Sequence, residues 1–198
     1  MIPLPRPTAP RIGAAHARLR AATAGLHAAV DELFPDGLAS RDGYRRYVLG
    51  MHRFAVDYEI AVDAVPRHSA WLAADLTRLS LAPLAAHGER RATRDPAVRL
   101  GWRYVMAGSS MGARSLLRDA RRLGYDEARG ATFLARHAAS GEWDALRTRL
   151  QALDVDDAPR MAGAEDGART AFSLVRACFG RSFDRIPLAP TPGSSNDT

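Results

Sequence analysis

Apolar residues along this chain return at helical spacing rather than strand spacing. Between Arg18 and Leu33 the positions Leu19, Ala22, Leu26, Val30 and Leu33 form one stripe, the mark of an amphipathic helix facing a core. Ser40 is placed to cap a second helix from Arg41 to Val65, stopped by Pro66, in which Tyr44, Tyr47, Val48, Met51, Ala55, Tyr58 and Val62 keep the 3.6 period. So long an apolar face predicts a central packing helix. Ser69 opens a shorter helix to Leu79, with Trp71, Leu72 and Leu76 apolar, and Pro83 to His87 reads as one brief helical turn. Asp95-Pro96 joins an N-cap to a proline at the first helical position, and Leu123-Gly124 ends the helix that follows. Residues 126 to 139 are expected to be helical, with Gly130 as a point of breakage. Ser140 then opens a helix carrying Trp143, Leu146, Leu150 and Leu153 on one side, and Asp157 with Pro159 starts the last helix, striped by Phe172, Val175 and Phe179 and closed by Gly180. No segment alternates with period two, so the expected fold is all-α, with about seven or eight helices.

A chain of 198 residues with 46% apolar content suits one domain, expected over residues 13 to 186, with flexible termini at 1 to 12 and 187 to 198. Lysine is absent. That removes Schiff-base chemistry on pyridoxal phosphate and the P-loop lysine. The formal charge of +6 admits nucleic acid, an anionic membrane or small acidic molecules as partners. Because the arginines are scattered among Asp and Glu without interleaved aromatics, neither nucleic acid nor membrane is expected. The single cysteine, Cys178, excludes an internal disulfide, CxxC zinc sites and CxxCH haem attachment, and is expected to pack as a small hydrophobe. With no signal-like apolar run at the start and no apolar stretch near 18 residues, a cytoplasmic location is expected.

Two stretches carry candidate chemistry. His27 sits at the edge of the first stripe, and Asp31 one turn later can hold one ring nitrogen, fixing the tautomer and leaving the other for a metal. The alternative is a core histidine satisfied by its carboxylate. In the second stretch, Trp102 to Leu116, Gly108 and Gly112 lie on one side of the helix with Ser109 and Ser110 between them. Each glycine costs about 1 kcal/mol relative to alanine in a helix interior, so something should compensate. A flat ligand lying on bare backbone would do so, and so would close helix packing. Among the other histidines, His52 reads as a boundary residue that could enter a polar network near a ligand, and His68 and His87 read as solvated loop residues.

The two stretches together resemble the haem oxygenase family, most closely its bacterial branch that supplies biliverdin to phytochromes. One match is to LRxATxxLH with an acidic residue at i+4, here Leu19, Arg20, Ala22, Thr23, Leu26, His27 and Asp31; the other is to GSxxG(G/A), here Gly108, Ser109, Gly112 and Ala113. Weaker similarity follows in Arg147 to Asp154 and Thr170 to Phe172. The resemblance implies oxidation of haem to biliverdin, CO and ferrous iron, using O2 and electrons from an external ferredoxin or reductase, with haem b as both substrate and prosthetic group. His27 would hold the iron, and Gly108, Ser109 and Gly112 would line the face where O2 is activated. Arg20, Ala113 and Arg147 would contact the macrocycle, the arginines through its propionates.

Many members carry aspartate where this chain has Ser109. A hydroxyl cannot carry that charge, so the network around bound water must be assembled differently, from Ser110, His52 or backbone carbonyls. The alternatives are a haem carrier or sensor of the same fold that does not degrade haem, and a cofactor-free helical interaction domain. A di-iron bundle is disfavoured because none of the glutamates is followed by histidine three residues later. A monomer is the expected state.

Overall fold

Two close helix crossings, both built on glycine, set the architecture. The computed structural model describes residues 13–86 and 88–186, and the described residues contain seven α-helices and no strand. These are α1 (Ala14–Asp31), α2 (Arg41–Ala61), α3 (His68–Arg78), α4 (Pro96–Arg122), α5 (Thr132–Ala138), α6 (Glu142–Gln151) and α7 (Ala158–Arg185). Helix α7 is the hub, with α1, α2 and α4 all packed on it. Where α4 crosses it, a Cβ on Gly101 would fall 2.5 Å from the Ala168 nitrogen and nearer still to the Ala164 carbonyl oxygen, and one on Gly167 would meet the Val98 backbone. Where α2 crosses it, a Cβ on Gly50 would lie 3.1 Å from Phe179 Cα. Side chains are excluded at the α4 crossing because backbone meets backbone, and at Gly50 because the Phe179 ring and Cα fill the space.

Helix α2 supplies the apolar spine that its sequence pattern predicts. All seven positions of the stripe are buried, from Tyr44 to Val62, each large side chain contributing roughly 1.5–3 kcal/mol of burial. The Ser40 hydroxyl accepts from the Gly43 N–H, Asp95 accepts from Ala97 and Asp157 from Arg160, so three N-caps readable in the sequence are made. Cys178 is buried, as its composition argument anticipates.

Several boundaries differ from the sequence expectation. Helix α2 ends at Ala61, four residues before Val65, because Asp63 takes a left-handed turn at φ 55°. Ser69 lies inside the first turn of α3 and does not cap it. That end is capped from α2, where the Glu59 carboxylate accepts from the backbone N–H groups of Arg67, His68 and Ser69. Buried Asp75 of α3 does the same for α5, accepting from Thr132 and Phe133 at 2.8 and 2.9 Å. Residues 83 to 86 form no helix, and 126 to 131 are turns around Gly130. Gly180 lies within α7, which runs on to Arg185. The expectations for residues 1 to 12, 187 to 198 and His87 fall outside the described residues. No helix among the described residues is long and apolar enough to cross a membrane.

Candidate functional site

Between α1, α2, α4 and α7 lies a cavity of about 490 Å³. Its walls are mainly apolar: Met51 and Phe54 from α2, Val105 from α4, and Phe172 and Phe179 from α7. His27 and Asp31 line it from α1; Gly108, Ser109 and Gly112 line it from α4. The stripe of α1 explains how His27 comes to face a void. Leu19 is fully buried, but Leu26, Val30 and Leu33 are only partly covered, so the core thins toward the end of the helix that carries His27.

The His27 ring packs on Phe172, and its Nδ1 lies 2.8 Å from Asp31 Oδ2. Because a carboxylate accepts, Nδ1 carries the proton and Nε2 remains as the donor atom for a metal. The His27 side chain is 63% exposed, so the alternative of a core histidine needing a partner does not hold.

The glycines of α4 resolve the other ambiguity. A Cβ on Gly112 would meet nothing within 4 Å, and one on Gly108 would only reach Trp143 Cζ3 at 3.8 Å. Neither glycine serves helix packing. Both leave backbone bare beside the cavity, where a flat ring can lie closer than any side chain would permit. The Ser109 and Ser110 hydroxyls donate to the carbonyls of Met106 and Ala107 at 2.7 Å, so each is partly satisfied within its own helix.

The remaining candidates are placed elsewhere. Ala113 is 1% exposed and faces the core. Neither Arg20 nor Arg147 lines the cavity; Arg147 pairs with Asp144 at 3.1 Å, and the charge of Arg20 acts on Tyr104, which does line it. His52 is also outside the lining, its Nδ1 buried without a partner, and burial beside Arg53 pulls its pKa down.

One residue that sequence reasoning passed over reaches the site from behind. His137 of α5 is 1% exposed, and its Nε2 lies 2.9 Å from Ser109 Oγ. With the Ser109 proton directed to Met106, the imidazole donates its Nε2–H to the hydroxyl. Burial, then the neighbouring His68, push the His137 pKa down to about 3, so the ring stays neutral. The sequence held a weak signal: His137 follows Phe133 by four and Leu134 by three, one face of a short helix. His68, expected to be solvated, is 3% exposed and bonded to Glu142 at 3.0 Å. Its place at the start of α3 turns it inward.

A family model described as Heme oxygenase matches residues 82–181, spanning α4 to α7. The chain belongs to the haem oxygenase family. Its activity is the family's oxidative degradation of haem to biliverdin, with haem as both substrate and prosthetic group. Heme oxygenase PigA of Pseudomonas aeruginosa is 30% identical across 73% of this chain and 80% of that relative. A crystal structure of NO- and CO-bound heme oxygenase from Neisseria meningitidis superposes with a TM-score of 0.67 at 27% identity, covering 92% of this chain and 96% of the other. The family match includes the bare-backbone helix but begins after α1, the helix that bears His27.

Proposed function

We propose that haem is bound and cleaved in this cavity, with His27 Nε2 as its iron ligand, residues 13 to 186 acting as one functional domain. The observation that carries this reading is that one cavity is lined both by an imidazole with a free, tautomer-fixed nitrogen and by two glycines opening into empty space. When bound, haem supplies the iron at which O2 is activated and the ring that is oxidised, an external ferredoxin or reductase supplying the electrons.

The chain's own residues bind, orient and exclude. Asp31 keeps His27 in the tautomer that presents Nε2. Gly108 and Gly112 leave the α4 backbone bare, so a flat group bound in the cavity would be positioned by backbone rather than by side chains. Met51, Phe54, Phe172 and Phe179 keep bulk water from the walls. Ser109 cannot carry the negative charge that many members place here. With its proton on the Met106 carbonyl and one lone pair taken by His137, it offers the cavity an acceptor that orients a water's O–H. Arg20, whose charge acts on Tyr104 of the cavity wall, is a partner for a propionate; Arg147 serves only on leaving Asp144. The protein acts as a monomer.

The test is a haemin titration followed by turnover. Wild type should bind one equivalent with a histidine-ligated spectrum, and ascorbate or a ferredoxin system in air should replace the Soret band with bilin absorbance. His27→Ala should lose that ligation while its unfolding midpoint stays put, since an exposed i,i+4 pair contributes only about 0.3–0.5 kcal/mol. A spectrum unchanged by His27→Ala moves the ligand elsewhere, and a stable Soret band under reducing turnover conditions leaves a carrier of the same fold.

A further inference from the structure

Behind α4, away from His27, three side chains converge, of which only His137 has a part in haem binding, through Ser109. His68 of α3, His137 of α5 and Glu142 of α6 place their ligand atoms within 4.8 Å of one another. Glu142 Oε1 is 3.0 Å from His68 Nε2, and Glu142 Oε2 is 3.9 Å from His137 Nδ1. The second distance is too long for a hydrogen bond, and His137 Nδ1 is buried with no partner. A lone pair withdrawn from water without a partner is costly, and its direction toward a carboxylate, which cannot donate, rules out a direct bond between them. A cation between the two would satisfy both.

We propose that His68, His137 and Glu142 form a binding site for a divalent transition cation of the zinc class, held by two imidazole nitrogens and one carboxylate oxygen. Imidazole and carboxylate donors suit such an ion, and a tetrahedral site with bonds of about 2.0–2.1 Å separates its donors by about 3.4 Å, inside the spread seen here. Each imidazole also has its other nitrogen on an oxygen. His68 Nδ1 faces Glu59 at 3.5 Å, and His137 Nε2 donates to Ser109 at 2.9 Å, the outer support that orients metal-binding histidines. Charge balances as well, since Glu142 and Glu59 together neutralise a divalent ion. The competitor is Arg67, whose guanidinium rests on Glu142, lies 3.3 Å from His68 Nε2 and stacks over Trp71; its side chain is 52% exposed, so an ion would displace it toward solvent. Because His137 holds Ser109, an ion here would also fix the proton that His137 presents to the cavity's hydroxyl. The site does not depend on haem or on His27.

The experiment is a titration of the chelator-treated full chain with Co2+ and Zn2+, read by cobalt d–d absorption and by competition with a chromophoric chelator. His27 and Asp31 are an exposed alternative site, so the titration is run on the haem-loaded protein and on His27→Ala as well. One equivalent should bind in all three, with the visible bands of a tetrahedral centre. Glu142→Gln and His137→Gln should each weaken binding by about tenfold or more, and Arg67→Ala, which removes the competing cation, should tighten it up to about fivefold. Should His137→Gln not fold, Glu142→Gln decides, because its side chain is polar, partly exposed and nearly isosteric. Absence of binding in wild type, loss of binding in His27→Ala, or binding unchanged by Glu142→Gln overturns the proposal.

Discussion

Helix α4 carries glycines of two kinds, the nearest of them seven positions apart. Gly101 is a contact, since its missing Cβ is replaced by the backbone of α7. Gly108 and Gly112 are vacancies, their missing Cβ atoms replaced by nothing within ordinary contact except one edge of Trp143. Both kinds cost the helix the same propensity, so a helix that tolerates them at the crossing for packing must tolerate them at the cavity for something else. The lesson is that a glycine's role is read from what stands where its side chain would be. Substitutions that fill those spaces should therefore have opposite signs.

The largest effect is expected at the crossing. In Gly101→Val the new Cβ meets carbonyl and amide atoms of α7, which cannot rotate aside, so the helices must separate. A loss of about 3 kcal/mol or more is expected, read as a fall of about 6 °C or more in the unfolding midpoint. A variant that melts with wild type would mean that the crossing is looser than the structure has it.

Acid should probe the cavity half of α4, which is tied to His137 through Ser109. Since in the metal-free protein the folded His137 pKa of about 3 lies below the ordinary 6.5, the unfolded chain binds the extra proton. Stability is therefore full above pH 6.5 and falls toward pH 3, at up to about 1.4 kcal/mol per pH unit. By pH 5 the loss should reach about 2 kcal/mol, and His137→Gln should flatten that limb in urea titrations at several pH values. Glu59 adds a second loss below pH 4.5. Burial raises its carboxyl, but hydrogen bonds from His68, Ser69 and the backbone of Arg67 outweigh this and bring it to about 2. A limb that begins only below pH 4.5 in wild type would assign it to the carboxylate alone.

What the sequence made legible was local. The α2 stripe, Asp95 before Pro96, and Leu123-Gly124 at the end of α4 depend on neighbours within a turn, and all three are found as expected. Where partners come from far along the chain, the signal vanished. Ser69 was expected to cap α3 because it is the right residue in the right place, yet Glu59 of α2 performs that task from ten residues upstream. His68 looked solvated because Glu142, 74 residues on, is invisible from its own segment. The glycines show the same limit. Periodicity put Gly108 and Gly112 on one side of a helix but could not say what faced them, and it gave no reason to single out Gly101 or Gly167, which make the crossing.

A middle-sized effect is expected from Gly108→Leu. The fold should persist, because the cavity has room for the side chain, but haem would have to share that room. Overpacking of this kind costs about 1–3 kcal/mol, so haem affinity should fall by about tenfold or more with the far-UV circular dichroism unchanged. Retained affinity would place haem away from α4.

The smallest and sharpest test is Gly112→Ala. A single methyl there meets nothing, so the substitution should gain what alanine adds to a helix interior, up to about 1 kcal/mol, and raise the unfolding midpoint of the haem-free protein. The same methyl points into the cavity, where a ring lying on the α4 backbone would have to move by a fraction of its thickness. The haem complex should therefore gain less than the free protein, and the difference between the two midpoints, measured in parallel, reports the contact directly. Equal gains would show that nothing flat rests on that backbone. A loss in the free protein would show that Gly112 belongs with Gly101 after all.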